Sequence, residues 1–267
     1  NQTSSQNIIA LSDVVGQAFE RLEHIHANRD AVRGVPTGFK ALDNKLSGFQ
    51  PSDLIILAAR PSVGKTSLAL DFARNAAVKH NIPVAIFSLE MSKEQLVDRM
   101  LSAQSQVDSW KLRTAKLSLD EEFQRLQQGM HELMKAPIYV DDKAANSVLN
   151  MRSVLRRLNS DKPIGLIIVD YLQLMGTSKS YDNMVNQVTE ISRSLKGLAK
   201  EFNAPVIALS QLSRAVESRG GKPRLSDLRD SGSIEQDADI VMFIHREDKY
   251  GDEAAARKNI VEILIEK

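Results

Sequence analysis

The chain contains 267 residues, 42% of them hydrophobic, which is enough for a sizeable core. Its 35 Lys and Arg residues nearly balance its 34 Asp and Glu residues, and it has no cysteine, which excludes a disulfide framework, thiolate metal sites and cysteine nucleophiles. No apolar run approaches the roughly 18 residues of a membrane span, and the polar start does not resemble a signal peptide. We therefore expect a cytoplasmic protein with no membrane partner. Because it starts without Met and ends abruptly at Lys267, we also expect a piece of a longer polypeptide.

Residues 1–32 differ in pattern from the rest. Apolar side chains recur there at steps of three and four, as on one face of a helix, namely Ile8, Leu11, Val15, Ala18, Phe19, Leu22 and Ile25. We interpret this part as a linker segment with a helix from about Leu11 to Asn28. That helix either packs on its own domain or docks on a neighbouring copy of the chain.

From residue 33 to residue 267, apolar runs alternate with helical stretches. The apolar runs predict strands at Leu54–Ala59, Val84–Leu89, Ile138–Val140, Leu166–Asp170, Val206–Ser210, Ile240–Ile244 and Ile260–Ile265. The stretches between them predict helices at Thr66–Lys79, Lys93–Ser105, Leu119–Met134, Val148–Leu158 and Val185–Phe202. Continuously apolar strands are typical of a sheet covered on both faces. The sequence thus predicts one α/β domain with a mostly parallel central sheet flanked by helices.

A phosphate-binding loop follows the first predicted strand. The segment Ala59-Arg60-Pro61-Ser62-Val63-Gly64-Lys65-Thr66 departs from the usual pattern at its first position, where Ala59 replaces Gly. In such a loop, backbone N–H groups close around an oxyanion at the start of a helix. Lys65 would reach the β- and γ-phosphates and Thr66 would hold Mg²⁺, so the segment predicts a nucleotide site.

Three polar residues follow predicted strands at the edge of the sheet where this loop lies. Glu90, Asp170 and Gln211 each come directly after an apolar run. Asp170 suits a second position on Mg²⁺, Glu90 could orient and deprotonate an attacking water, and Gln211 could sense the γ-phosphate. Any one of them alone could be a strand-end cap, but three behind one phosphate loop indicate a hydrolytic site.

The segment after Gln211 concentrates basic charge. Between Ser213 and Arg229 the charged residues are Arg214, Arg219, Lys222, Arg224 and Arg229 against Glu217 and Asp227. Glycine and proline within it predict a flexible loop. This loop is either an ordinary solvated loop or one that binds a nucleic-acid backbone. Because it has no aromatic residues to stack on bases, it would contact phosphates without sequence preference.

Five blocks together resemble the bacterial replicative DNA helicases of DnaB type. They are Ala58–Thr66, Phe87–Ser92, Ile168–Leu174, Ala208–Arg214 and Asp230–Asp239, in the order and at the spacing of that family. Ala at the first position of the phosphate loop also fits the family. Upstream, Gly34–Phe39 resembles the entry into its RecA-like core, and residues 1–32 match its linker helix in position.

The resemblance implies ATP and Mg²⁺ as cofactors. The residues that match the family's nucleotide site are Ser62, Val63, Gly64, Lys65, Thr66, Ser67 and, on the following helix, Arg99. By the same comparison, Glu90 is the catalytic carboxylate, Gln211 is the sensor, and Thr66 and Asp170 lie on the metal side.

The resemblance also implies a ring-shaped homo-hexamer. It would encircle single-stranded DNA, move 5′ to 3′ on ATP hydrolysis and unwind duplex DNA at the replication fork, with primase and a helicase loader as partners. The DNA-contacting residues would be Lys222, Arg224, Arg229, Asp230 and Gly232, with Asp230 where the family usually has Glu. Lys267 matches the first residue of a Lys-x-Arg pair that acts in the neighbouring subunit's ATP site, and we expect the arginine to lie beyond it.

Two other functions share part of these features. A RecA-like recombinase has the same fold and chemistry but lacks the Asp230–Asp239 block. A regulatory ATP-binding oligomer would keep the phosphate loop and have no need for the basic segment.

Overall fold

A computed structural model describes residues 32–118, 120–144, 146–176, 184–213, 221–228, 232–246 and 260–267, together with residues 11–12, 15–16, 19–20, 23 and 216. The strands are β1 (Leu54–Ala59), β2 (Val84–Ser88), β3 (Ile138–Asp141), β4 (Leu166–Asp170), β5 (Val206–Gln211), β6 (Ile240–His245) and β7 (Glu262–Ile265). The helices are α1 (Lys40–Leu46), α2 (Lys65–Arg74), α3 (Lys93–Ser105), α4 (Ser109–Thr114), α5 (Glu121–Lys135), α6 (Val148–Asp161), α7 (Met184–Phe202) and α8 (Gly232–Asp237).

The seven strands form one sheet in the order β3-β2-β4-β5-β1-β6-β7. Going along the sheet from β3 to β6, neighbouring strands run parallel, and among the strands of the described residues only β7 pairs antiparallel, with β6. Parallel neighbours require crossover connections, which the helices supply. The predicted α/β domain with a mostly parallel central sheet is therefore confirmed.

Both faces of the sheet are buried, which explains the continuous apolar runs. Successive residues of β1 point to opposite faces, so Ile56 lies in one core cluster and its neighbours Ile55 and Leu57 lie in the other. Helix α7 covers the first face with Leu195 and Leu198, both fully buried. Each face thus buries apolar side chains from every central strand, and this burial stabilises the sheet.

The helix after β1 begins one residue earlier than predicted, at Lys65, and changes its geometry near its end. Residues Asn75–Lys79 form a π-helical turn. The Asn75 side chain is buried and donates from Nδ2 to the Thr37 carbonyl at 3.1 Å, which ties the segment before α1 to the helix. Strand β7 also differs from its prediction, because it begins at Glu262 and not at Ile260.

Short helices were missed because they are too brief to show a helical period. Helices α4 and α8 have six residues each, and α1 has seven. A hydrophobic period needs a window of about 11 residues or more.

The predicted linker helix lies largely outside the described residues. Those that are described between 11 and 23 are helical, and Leu11, Val15 and Phe19 are 78%, 56% and 61% exposed. The linker segment, its apolar stripe and the surface that it packs against stay predictions. Among the residues that the structure describes, no helix is long and apolar enough to cross a membrane.

An aromatic cluster anchors helix α2 to the segment that precedes β1. Phe72 is fully buried, with the rings of Phe49 and Phe39 edge-on to it at centroid distances of 5.1 and 5.8 Å. We expect Phe72→Ala to lower the free energy of unfolding by about 3–5 kcal/mol, because the truncation leaves a cavity under the helix. Urea denaturation followed by circular dichroism measures this change.

Phe39→Ala is the matched control, since Phe39 belongs to the same cluster but is 40% exposed. It should cost clearly less than the Phe72 variant. Equal losses in the two variants would show that the cluster does not anchor α2 through Phe72.

Candidate functional site

The phosphate-binding loop connects the carboxyl end of β1 to the first turn of α2. Gly64 caps the helix with a φ of 113°, a left-handed conformation that favours glycine, and a Cβ placed there would meet no atom within 4 Å. Among the described residues, no side chain caps the N-terminus of α2. The N–H groups of its first turn are thus available to an anion, and the positive end of the helix dipole faces the same space.

Lys65 and Thr66, the first two residues of α2, meet the end of β4. The Thr66 hydroxyl donates to Asp170 Oδ2 at 2.7 Å, and Lys65 Nζ lies 3.7 Å from Asp170 Oδ1. Asp170 is only 2% exposed, and its Oδ1 has no hydrogen-bond partner among the described residues. A buried carboxylate oxygen in this position suits a cation or a metal-bound water.

Lys65 is also held by an aromatic ring. Its Nζ lies 4.3 Å from the centroid of Tyr171. Burial lowers the pKa of Lys65, while the carboxylates of Asp170 and Glu90 act in the opposite direction. The ammonium is thus partly desolvated, and this strengthens its attraction for an incoming phosphate.

Glu90 lies in a tight turn between β2 and α3. The Ser88 hydroxyl donates to the Met91 carbonyl at 2.7 Å and accepts from the Met91 N–H at 3.1 Å, so the turn is closed around Glu90. Parallel pairing places Ser88 opposite Asp170. Burial raises the pKa of Tyr171, and the nearby charges of Glu90 and Asp170 raise it further. Glu90 itself is exposed and lines the cleft described next.

A cleft of about 490 Å³ brings the predicted residues together, within the size range of small-molecule sites. Its lining includes Ser62, Gly64, Lys65, Thr66, Ser67, Glu90, Arg99 and Gln211. Arg99 reaches it from α3, where its Nη1 donates to the Ser67 hydroxyl at 3.2 Å. Of the other predicted residues, Asp170 lies behind Thr66, and Val63 is buried beneath the loop.

The donor set fits a nucleotide with Mg²⁺ better than a metal held by protein alone. Among the described residues, no three His, Cys, Asp or Glu side chains are grouped as ligands. Mg²⁺ commonly binds one or two protein oxygens and completes its shell with water and substrate phosphates. Thr66 and Asp170 provide such oxygens beside a loop that is open to phosphate.

Three residues at the site were not predicted. Tyr171 lies against Lys65, Gln173 contacts the end of β5, and buried Arg60 donates from Nη1 to the Leu212 carbonyl at 2.8 Å. All three belong to the sequence blocks already noted, but nothing in the local pattern says which distant residue each contacts. The one signal in the sequence that could have indicated these residues is their position next to predicted site residues in the same blocks.

In the described part of the basic segment, the Lys222 ammonium forms an ion pair and the Arg224 backbone contacts a buried carboxylate. Lys222 Nζ lies 2.8 Å from Glu262 Oε2 on β7. Arg224 is exposed, and its N–H donates to the buried Asp227 carboxylate at 2.7 Å. Arg229 and Asp230 lie outside the described residues, and Gly232 begins α8.

Lys267 does not line the cleft of its own chain. Its Nζ donates to the Glu235 carbonyl at 2.7 Å, and the side chain is exposed. Its backbone carbonyl accepts from the Val241 N–H at 3.1 Å, which extends the pairing of β7 with β6. Lys267 therefore lies beside α8, away from the phosphate loop.

Comparison with known proteins gives curated relatives that cover most of the chain. It is 51% identical to the replicative DNA helicase DnaB of Geobacillus stearothermophilus over 96% of this chain and 57% of the relative. It is 49% identical to the replicative DNA helicase DnaC of Bacillus subtilis (strain 168) over 100% of this chain and 58% of the relative. The chain thus spans less than two thirds of the length of these relatives.

Solved structures match the fold as well. A solved ATPase domain superposes with a TM-score of 0.90 at 37% identity, covering 97% of this chain and 90% of that domain. A DnaB-like replicative helicase studied with primase gives a TM-score of 0.87 at 37% identity, over 97% of this chain and 62% of that protein. The RecA-like fold is therefore shared with both. Residues 34–267 match the family model described as the DnaB-like helicase C-terminal domain, and the chain belongs to that family.

Proposed function

We propose that this chain is the ATP-hydrolysing motor of a replicative DNA helicase, which translocates 5′ to 3′ on single-stranded DNA and unwinds the duplex at the fork. The observation that supports this most directly is the meeting of Lys65, Thr66 and Asp170 at the end of the sheet, with Glu90 in the same cleft. A recombinase or a regulatory ATP-binding oligomer is not favoured, because the family match extends through residues 34–267.

In this proposal, the residues of the loop bind and orient ATP. The first-turn N–H groups of α2 donate to the phosphates, and Ser62, Val63, Gly64 and Ser67 shape the loop around them. Lys65 moves from the Asp170 carboxylate toward the β- and γ-phosphates. Bound Mg²⁺ would neutralise developing phosphate charge, with Thr66 as ligand and Asp170 acting through water.

The attack on the γ-phosphate requires an oriented water. Glu90 is exposed in the cleft and accepts the proton of that water, while Gln211 contacts the transferred group and reports its presence. Arg99 adds a positive charge from α3 beside Ser67. Lys267 would act in trans, on the site of the next subunit.

The basic segment would follow the DNA backbone. Lys222 and Arg224 lie in its described part, Arg229 and Asp230 follow, and main-chain groups at Gly232 complete the contact. Phosphate contacts of this kind fix position without reading sequence. We further propose a cytoplasmic homo-hexamer joined through the 1–32 linker segment, with residues 33–267 as the motor and with primase and a loader as partners.

We expect variants of Lys65 and Glu90 to separate nucleotide binding from hydrolysis. Lys65→Ala should abolish nucleotide binding or turnover, because the phosphate charge is left uncompensated. Glu90→Gln should bind ATP within about twofold of wild type but lower kcat by about 10²-fold or more, since it keeps the shape of the side chain and removes the base. Equilibrium binding of a fluorescent nucleotide and steady-state phosphate release measure the two effects.

Glu94→Gln serves as control, because it makes the same change on the exposed first turn of the neighbouring helix α3. Wild-type turnover in the Glu90 variant would show that Glu90 is not the base.

A further prediction concerns DNA. We expect charge reversal at Arg224 together with Lys222, or at Arg229 alone, to weaken the binding of a single-stranded oligonucleotide. The slope of log K against log salt concentration should also become shallower, by about 0.7 for each DNA phosphate that is no longer neutralised. Nucleotide affinity should be unchanged, because these residues do not belong to the phosphate loop. Fluorescence anisotropy at several salt concentrations gives the DNA affinity and its salt slope.

Arg157→Glu is a matched control, as an exposed arginine on α6. If the loop variants and this control have the same affinity and slope, the segment is an ordinary solvated loop.

Another prediction concerns assembly. Deleting residues 1–32 should leave a folded monomer that still binds nucleotide through Lys65 and Thr66 but forms no rings, because the docking helix is gone. Analytical ultracentrifugation of both chains with Mg²⁺ and a non-hydrolysable nucleotide measures the difference. Equal assembly of the two chains would mean that the helix packs on its own domain.

A further inference from the structure

The side chain of Gln173 extends the sheet beyond the point where two strands stop pairing. The β4–β5 ladder ends with Val169 opposite Ala208, although β5 continues to Gln211. Gln173 lies in the 3₁₀ turn Leu172–Leu174, which follows β4. Its Oε1 accepts from the Gln211 N–H at 3.4 Å, and its Nε2 donates to the Gln211 carbonyl at 3.4 Å and to the Ser210 hydroxyl at 3.1 Å.

This arrangement copies a backbone pair with a side-chain amide. The Gln173 amide accepts from the backbone N–H of Gln211 and donates to the backbone carbonyl of the same residue. A residue of a neighbouring strand would make the same pair of hydrogen bonds. On the other side of β5, the ladder with β1 continues to the pair of Ala59 with Gln211. Gln211 is therefore held between the start of the phosphate loop and the turn that follows Asp170, and its own side chain lines the cleft.

We propose that Gln173 is a positioning residue, which holds Gln211 at a fixed distance from the γ-phosphate site and thereby sets both turnover and the discrimination between ATP and ADP. The inference rests on the proposed function, in which Gln211 contacts the transferred phosphoryl group. Asp170 is the last residue of β4, and Gln173 follows it by three residues in the next 3₁₀ turn. A shift of the end of β4 would therefore move this turn, and with it the amide that holds the sensor.

The two residues that follow Gln211 connect the phosphate loop to the basic segment. The Leu212 N–H donates to the Ala59 carbonyl at 3.1 Å, and the Leu212 carbonyl accepts from Arg60. Leu212 also forms an antiparallel bridge with Leu228, and the Ser213 N–H donates to the Asp227 carbonyl at 3.1 Å. Gln173 thus holds the residue that immediately precedes the stretch leading to Lys222 and Arg224.

The test uses the full-length protein with Gln173→Met, which keeps the length of the side chain and removes its amide. Gln187→Met is the matched control, because the Gln187 amide also bonds a main-chain carbonyl nearby, that of Met175, at 3.1 Å. We measure kcat with and without single-stranded DNA, and the dissociation constants of ADP and of a non-hydrolysable ATP analogue. The loss of these hydrogen bonds should lower kcat about tenfold and shrink the ratio of the two dissociation constants about fivefold, with ADP affinity within about twofold of wild type.

Two outcomes would overturn the inference. Wild-type kcat and affinity ratio in Gln173→Met, equal to those of Gln187→Met, would show that the amide does not position the sensor. A parallel loss of ADP affinity and kcat would show that Gln173 merely supports the fold. If the wild-type protein hydrolyses no ATP, the proposed function fails, and the affinity ratio, which needs no turnover, still decides the role of Gln173.

Discussion

The parallel pairing of β1 between β5 and β6 is the constraint on which the site depends. β1 is buried along its whole length, and its carboxyl end delivers the chain into the phosphate loop. The same pairing brings Gln211 beside Ala59, and the pairing of β4 with β2 brings Asp170 beside Ser88. Because parallel strands end at one edge, residues more than a hundred positions apart in sequence meet around a single cleft.

Burial of Asp170 makes this meeting specific. A carboxylate taken out of water costs several kcal/mol unless it is paired and hydrogen-bonded. Here the Thr66 hydroxyl and the Lys65 ammonium supply the partners, both from the first turn of α2. The Tyr171 ring also contacts the ammonium, 4.3 Å from its centroid. The start of α2 is therefore held against the end of β4, and the phosphate loop is preorganised before any ligand binds.

The nucleotide cleft and the basic segment are joined through a short stretch of backbone. Residues Leu212 and Ser213 bond the phosphate loop on one side and the 225–228 turn on the other. The π-helical turn at the far end of α2 and its bond from Asn75 to Thr37 hold the opposite end of that helix. Hydrogen bonds thus connect the phosphate loop, through Leu212 and Ser213, to the 225–228 turn, while the far end of α2 is fixed to the segment before α1.

The class of fold and most of the cleft can be predicted from the amino-acid sequence, because those features are local. Continuous apolar runs mark strands that are buried on both faces, and the loop Ser62–Thr66 and the strand ends at Glu90, Asp170 and Gln211 are read from adjacent residues. The folded chain was needed to establish the strand order, the contact of Tyr171 with Lys65, the hydrogen bonds of the Gln173 amide to Gln211 and the pairing of Lys222 with Glu262. These contacts join elements that are distant in sequence, and a local pattern holds no information about which side chain will face another across a folded sheet.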